Sequence, residues 1–241
     1  MNLNIKPDYI QLQAISIGFY TAIATAVITL ITFAIAVNTP PYSGPFCLES
    51  CFEYPYHNIA SRFPGDYIWI YSAMLMVLTY LMLMVCIHHY PSNNRKIYSQ
   101  MSLALAGIAV MILFSTYFVQ VSVVQPSLLN NETEGIALIT QFNPHGIFIA
   151  MEEAGYMLMN LSFLFLVPVF GGKGKLLISI RVIFIAFFVL ALISFFLVSV
   201  KYGVMREYIY EVIIISIVYL ELIIAPILLA ALFKYDMNKH L

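Results

Sequence analysis

Five polar residues recur at helical spacing in one otherwise apolar stretch of the chain. On a helix that turns ~100° per residue they share an arc of roughly 100°; they are His145, Glu152, Glu153, Tyr156 and Asn160. Such a stripe is typical either of a polar pocket or of hydrogen bonds between neighbouring helices. Because adjacent carboxyl groups repel each other, Glu152 or Glu153 is expected to keep its proton, which suits a proton carrier or a general acid.

Two more carboxyl groups stand near the same end of the predicted helices. Asp66 follows Phe63-Pro64-Gly65 and is predicted to cap the start of a helix. Glu211 lies about one turn inside the last apolar stretch and is predicted to reach the polar stripe. These groups and His145 offer mixed nitrogen and oxygen ligands for a divalent cation, but no two histidines stand at i, i+4 spacing. The sequence therefore predicts neither a resident metal nor a cofactor.

One basic and one acidic residue fall deep inside the last two apolar stretches. Arg181 lies ~9 Å from one end of its predicted helix, and Glu221 lies ~20 Å from the opposite end of the next. In a hydrocarbon core of ~30 Å the two residues reach nearly the same depth. Because either charge alone is costly there, we predict a buried ion pair. An ion-coupling pair of a transporter is the functional alternative.

These residues are positioned by helices that the composition assigns to a membrane. Of the 241 residues, 62% are hydrophobic and 10% are charged, against roughly 45–50% and about 25% in soluble domains. A net charge of −1 leaves no basic surface for nucleic acid. Stretches of about 20 apolar residues predict helices that cross a bilayer. The sequence predicts an all-α, single-domain bundle over 1–241 with six transmembrane helices, at about 14–37, 67–87, 98–124, 146–170, 176–200 and 209–233.

The basic residues are divided unequally between the two sides of this bundle. With the N-terminus inside, the inner segments hold seven of them and the outer segments three. The seven are Lys6, Arg95, Lys96, Lys173, Lys175, Lys234 and Lys239, and the three are Arg62, Lys201 and Arg206. Both termini are therefore predicted to be cytoplasmic, in a multi-pass protein of the plasma membrane. Arg206 is predicted to be interfacial and solvated.

Two of the three cysteines, Cys47 and Cys51, lie in the first predicted outer loop. Oxidation is possible on that side of a membrane, so we predict a disulfide that shapes the loop locally. Two free thiols are the alternative interpretation. A zinc site is the weaker one, because only His57 stands near as a further ligand.

One segment of the chain resembles a known family. The stretch Gln141–Tyr156, with the sequence QFNPHGIFIAMEEAGY, is similar to a block in an uncharacterised family of small multi-pass membrane proteins of archaea and bacteria. The stretch Phe63–Tyr67, FPGDY, is also similar to that family. The resemblance covers most of the chain and implies a prokaryotic plasma-membrane protein. It implies no activity and assigns no site.

Three classes of function are compatible with these observations. The first is small-molecule or ion binding or transport through a polar pocket that opens outward at the fourth helix. The second is a membrane-embedded enzyme that uses Glu152 or Glu153 with His145 in acid–base chemistry on a lipid or isoprenoid substrate. The third is a structural or accessory subunit without catalysis, in which every polar group is paired internally. The expected partners are the lipid bilayer and a small-molecule, lipid or cation ligand, and the oligomeric state is left open.

Overall fold

The computed structural model describes residues 9–90 and 95–240, and within these ranges it contains helices and no strands. Six of the helical segments are long and apolar enough to cross a membrane. This confirms the predicted all-α bundle of six transmembrane helices. The orientation of the termini stays a prediction, and Lys6, one of the basic residues on which it rests, lies outside the described residues.

The helices follow one another with short connections, except where two longer segments intervene. Residues 38–67 separate α1 from α2, and residues 130–146 precede α6 except for the four-residue α5. We call the end of the bundle that carries both segments the loop end. The helices are α1 (Tyr9–Val37), α2 (Ile68–His89), α3 (Lys96–Val119), α4 (Gln125–Leu129), α5 (Ile136–Ile139), α6 (Ile147–Phe165), α7 (Lys175–Tyr202) and α8 (Glu207–His240).

Five of the six long helices form a closed ring. Along this ring α1 packs against α2, α2 against α3, α3 against α6, α6 against α8, and α8 against α1. The remaining helix, α7, packs on the outside against α8 and α6. The most apolar window of α7 is 17% buried, whereas those of α2 and α6 are 56% buried. The polar residues of α6 therefore face the interior of the ring, while α7 is mainly exposed on the outside of the bundle.

Small residues allow α1 to approach its neighbours closely. Its buried face is almost entirely glycine, alanine and threonine, as is common where membrane helices touch. Thr25 and Thr29 each donate their hydroxyl to the carbonyl oxygen one turn earlier, at 2.8 and 2.7 Å. No hydroxyl on these two residues is therefore left without a partner in the apolar interior. A Cβ on Gly18 would lie 2.9 Å from the ring of Phe233 in α8, so this contact requires glycine.

The end opposite the loop end is held by two arginines that bind backbone carbonyl groups. Arg95 donates to the carbonyl oxygens of Val169 and Gly171, and Arg181 donates to that of Gly172 at 2.8 Å. These carbonyls follow the last turn of α6, where backbone acceptors lack partners within the helix. The bonds tie the α6–α7 connection to α3 and to α7 itself.

The predicted ion pair between Arg181 and Glu221 is not formed. Arg181 lies on the peripheral helix α7 and reaches back to the connection before it. Glu221 is fully buried in α8 and accepts a hydrogen bond from Asn160 of α6. The prediction compared only the depths of the two residues. Pairing also requires that both face each other around their helix axes, and they face different neighbours.

Candidate functional site

A cavity of about 330 Å³ lies at the loop end between α1, α6 and α8. Its volume is near the lower limit of ligand pockets, which span ~300–1,000 Å³. Three carboxyl residues contribute to its surface: Asp66, Glu152 and Glu211. The aromatic residues of the wall include Phe33, Trp69, Phe142, Phe148, Tyr208 and Tyr219. The cavity thus combines an apolar, aromatic wall with a few acidic groups.

The segment 39–46 covers the cavity from the loop end. Gly44 has a φ of +70°, and a Cβ there would lie 3.2 Å from both Pro144 and Tyr208. This left-handed conformation and the lack of space both favour glycine. The Arg62 guanidinium lies 3.9 Å from the centre of the Tyr42 ring and fixes the middle of the segment. A disulfide joins Cys47 to Cys51 directly after it.

Glu152 and Glu211 bring their carboxyl groups together in the cavity wall. Their side chains are within hydrogen-bonding range of each other, and both residues are at most 5% exposed. A hydrogen bond between two carboxyl groups requires a proton on one of them. The sequence places these residues 59 positions apart, on α6 and α8, so the helix packing alone creates the pair.

Three buried tyrosines continue from Glu152 into the bundle. The Tyr117 hydroxyl of α3 donates to Glu152 Oε1 at 2.6 Å and lies 2.6 Å from the Tyr156 hydroxyl. The Tyr156 hydroxyl in turn lies 3.1 Å from that of Tyr219. Since Tyr117 uses its proton on Glu152, Tyr156 must donate to Tyr117 and Tyr219 to Tyr156. All three hydroxyl groups then point their protons toward the Glu152 carboxyl group, which is the final acceptor of this chain of hydrogen bonds.

The remaining two acidic residues near the cavity have their own arginine partners. Glu153 points away from Glu152 and accepts a hydrogen bond from Arg206 at 2.8 Å. Arg206 was predicted to be solvated, but its side chain is only about a quarter exposed because it reaches α6. Asp66 accepts two hydrogen bonds from Arg62, at 2.7 and 2.9 Å. The carboxylate raises the pKa of the Arg62 guanidinium by hydrogen bonding.

A separate acidic residue lies deeper, outside the cavity wall. Asn160 Nδ2 donates to Glu221 Oε2 at 2.7 Å. Glu221 Oε1 is buried and has no hydrogen-bond partner among the described residues. Tyr80 and Ser162 share a further hydroxyl–hydroxyl contact in the same interior. Of the polar stripe on α6, Glu152 therefore lines the cavity, whereas Tyr156 and Asn160 form hydrogen bonds to other helices.

Two predicted site residues occupy positions that the helical pattern did not anticipate. The α6 helix begins at Ile147, after Gly146 in an extended conformation. His145 therefore precedes the helix, is exposed, and does not contribute to the cavity wall. Asp66 lies within a single 3₁₀ turn, Gly65–Tyr67, and α2 begins at Ile68 without a side-chain cap. Its carboxylate binds Arg62 instead, so the predicted capping role is wrong.

The described residues bring no three His, Cys, Asp or Glu side chains together in a way that could hold a metal ion. Asp66 and Glu153 each form an ion pair with an arginine. Glu152 and Glu211 both line the cavity, and among the described residues no ion pair joins either of them to a basic side chain.

The sequence reasoning missed three residues of the site: Trp69, Tyr117 and Tyr219. Each lies in an apolar stretch, and aromatic residues there are usually interfacial anchors or packing residues. The signal that could have found the tyrosines is their hydroxyl group, because a buried hydroxyl needs a hydrogen-bond partner.

The chain matches no protein-family model, no curated protein and no solved structure. The functional assignment therefore rests on the geometry of the cavity.

Proposed function

We propose that this multi-pass membrane protein binds a small organic cation in the cavity at its loop end. The observation that carries the proposal is the Glu152–Glu211 carboxyl pair in the wall of an otherwise aromatic and apolar cavity. Carboxylates supply the charge, and aromatic faces attract cations through their quadrupoles. Sites that recognise alkylated ammonium groups combine these same elements.

Three observations about the wall support an organic cation rather than a lone metal ion. The volume of about 330 Å³ is much larger than a metal ion requires. Trp69, Phe148 and Tyr219 offer ring surface around the carboxyl pair. Trp69 is held edge-to-face against Tyr117 and Phe148, with ring centres 5.6 and 6.4 Å apart, so the cavity is preorganised for a ligand with apolar groups.

The distribution of basic residues supports the outer side of the plasma membrane for this cavity. The loop end holds the three basic residues of the predicted outer set and the disulfide-linked Cys47 and Cys51. Below the cavity the interior is filled by Tyr117, Tyr156 and Tyr219, all at most 1% exposed. The site is therefore proposed to take its ligand from outside, either for binding alone or as the first step of transport.

The enzyme hypothesis receives less support from the same geometry. It required His145 together with Glu152 or Glu153, but His145 is exposed and outside the cavity wall. One feature in its favour is the exposed rim formed by Val37 and Val212, which gives a lipid a lateral approach between α1 and α8. A cation with an apolar body can use the same approach.

The single tryptophan of the chain makes the proposal directly testable, because Trp69 lines the cavity. Benzyltrimethylammonium is a suitable probe, and neopentylbenzene is its neutral isostere. We expect the cation to change Trp69 fluorescence in a saturable way, and we expect the neutral isostere to bind at least 10-fold more weakly. Glu152→Gln should weaken binding of the cation by at least about 10-fold, or ~1.4 kcal/mol, since it removes a carboxyl group from the wall beside the positive charge.

Glu221→Gln is the matched control, because Glu221 is equally buried but lies outside the cavity wall. This variant should bind the cation like the unchanged protein. Equal binding of the cation and its neutral isostere, or a Glu152→Gln variant with unchanged affinity, would contradict the proposal.

A further inference from the structure

We infer that the cavity exchanges one proton for its cationic ligand, with Glu211 as the group that releases the proton. This inference rests on the proposed function, because it concerns the same cavity. It also makes a separate claim, since a cavity can bind a cation without releasing any proton.

The two carboxyl groups differ in the hydrogen bonds that they accept. Glu152 accepts a hydrogen bond from Tyr117 at 2.6 Å, and Tyr156 and Tyr219 extend the chain of donors behind it. Such chains strengthen each other in a medium of low dielectric constant. Glu211 has no comparable donor among the hydrogen bonds of the described residues other than its contact with Glu152. The shared proton therefore belongs on Glu211, which donates it to the Glu152 carboxylate.

The other acidic residues around the carboxyl pair form ion pairs with arginines. Before α2, the charge of Asp66 is balanced by Arg62. On α6, the charge of Glu153 is balanced by Arg206, which directly precedes α8. The cavity-lining residues of α1 include no titratable side chain. The tyrosines around the pair contribute hydroxyl groups and no basic group; they are Tyr117 from α3, Tyr156 from α6, and Tyr208 and Tyr219 from α8, and Tyr42 of the covering segment lines the same cavity.

A bound cation changes the charge of the carboxyl pair. A positive charge beside both carboxyl groups favours the ionised form of each. Glu211 then loses its proton to the solvent through the cavity, and the pair changes from one negative charge to two. The balance is one cation bound and one proton released, with no bond to carbon formed or broken.

The sign of the pH dependence follows from this balance. At low pH the cation must displace a proton, so its affinity falls as the pH falls. Over the range in which Glu211 is protonated in the free protein, the affinity should rise up to ~10-fold for each unit of pH. Above that range the pair is already doubly charged, and the affinity should become independent of pH.

The test is isothermal titration calorimetry of the full-length protein in detergent micelles with benzyltrimethylammonium. This quaternary cation has no proton of its own, so any released proton comes from the protein. Titrations at one pH in phosphate and in Tris, which have different ionisation enthalpies, give the number of protons released. We expect about one proton per cation for the unchanged protein.

Glu211→Gln is the decisive variant, because glutamine resembles the protonated acid and can still donate to Glu152. It should bind the cation more weakly at high pH, release no proton, and show an affinity that does not change with pH. Glu221→Gln, which removes a buried carboxyl group outside the cavity, should still release one proton. Both variants are checked by size-exclusion chromatography for an intact fold.

The possible failures are distinguishable. Saturable binding by the unchanged protein without proton release would overturn the exchange and leave the proposed function standing. Release of a full proton by Glu211→Gln would overturn the assignment to Glu211. If neither the Trp69 fluorescence titration nor the calorimetric titration detects any binding, both proposals are overturned.

Discussion

The helices α6 and α7 are neighbours in sequence and contact each other, yet their roles in the molecule differ. Both cross the membrane by length and composition. On α6, Glu152, Tyr156 and Asn160 are at most 1% exposed, and each has a hydrogen-bond partner on another helix or in the cavity. On α7, Arg181 is the one charged residue away from the helix ends, and it binds the backbone of the preceding connection.

This difference shows what decides the position of an apolar helix in a bundle. Hydropathy predicts that both helices cross the membrane, since each is mainly apolar. Only α6 carries polar groups whose hydrogen bonds must be satisfied by other helices, so it takes the interior position. On α7, Ser194 donates within its own helix and Arg181 donates to the preceding connection, and the helix lies on the outside of the ring. Substitutions that remove polar partners should therefore be costly on α6 and mild on α7.

The largest effect is expected from Asn160→Leu in α6. It removes the hydrogen bond to the fully buried Glu221, and an unsatisfied buried group costs about 2–3 kcal/mol of unfolding free energy. Adding Glu221→Leu should recover most of this loss, because no unpaired polar group then remains. Ser194→Leu in α7 is the control and should change stability by no more than about 0.5 kcal/mol, since Ser194 donates only within its own helix. Denaturant unfolding in detergent micelles measures all of these variants.

A smaller effect is expected from Arg206→Ala, which removes the partner of Glu153 on α6. The pair is largely but not fully buried, so we expect a loss of about 1–2 kcal/mol. Arg181→Ala removes hydrogen bonds to backbone carbonyls near α7 and should cost less than about 1 kcal/mol. Thermal unfolding of the two variants under identical conditions compares them. An equal or larger loss for Arg181→Ala would contradict the contrast between the two helices.

The smallest effect tests the close packing of α6 against α3. A Cβ on Gly155 would lie 2.5 Å from Leu113 Cγ, whereas a Cβ on Gly107 of α3 would meet nothing within 4 Å. Leu113 is fully buried and has little room to move. Gly155→Ala should therefore cost about 1 kcal/mol, and Gly107→Ala should be neutral or slightly stabilising. If both alanines have the same effect on the unfolding midpoint, the contact is looser than described.

The six spans could be predicted because the cost of charge in lipid is nearly local to each residue. The approach of Glu211 to the stripe of α6 could also be anticipated, since both start near the same end of the membrane. The hydrogen-bond partner of Arg181 could not be predicted, because the depth of a residue in the membrane does not specify which side of its helix faces a neighbour. Placing α7 outside the ring requires knowledge of all the helix contacts at once.

The composition of the cavity wall was less accessible to prediction. The covering segment 39–46 has no helical or strand period, so its position over Glu152 depends on tertiary contacts such as those of Gly44. The polar stripe predicted a site on α6, and Glu152 of that stripe lines the cavity. It also included His145, because the pattern was extended past Gly146, where the helix begins only at the next residue.

The measurement that tests the central claim most directly is a cryo-electron microscopy structure of the protein with benzyltrimethylammonium. We expect ligand density inside the cavity, with the ammonium group beside the carboxyl groups of Glu152 and Glu211 and its methyl groups against Trp69 and Tyr219. The same map from Glu152→Gln at the same probe concentration should show weaker or no density there. A cavity that is empty, or that holds only a neutral acyl chain away from the two carboxyl groups, at saturating probe would contradict the proposed cation site.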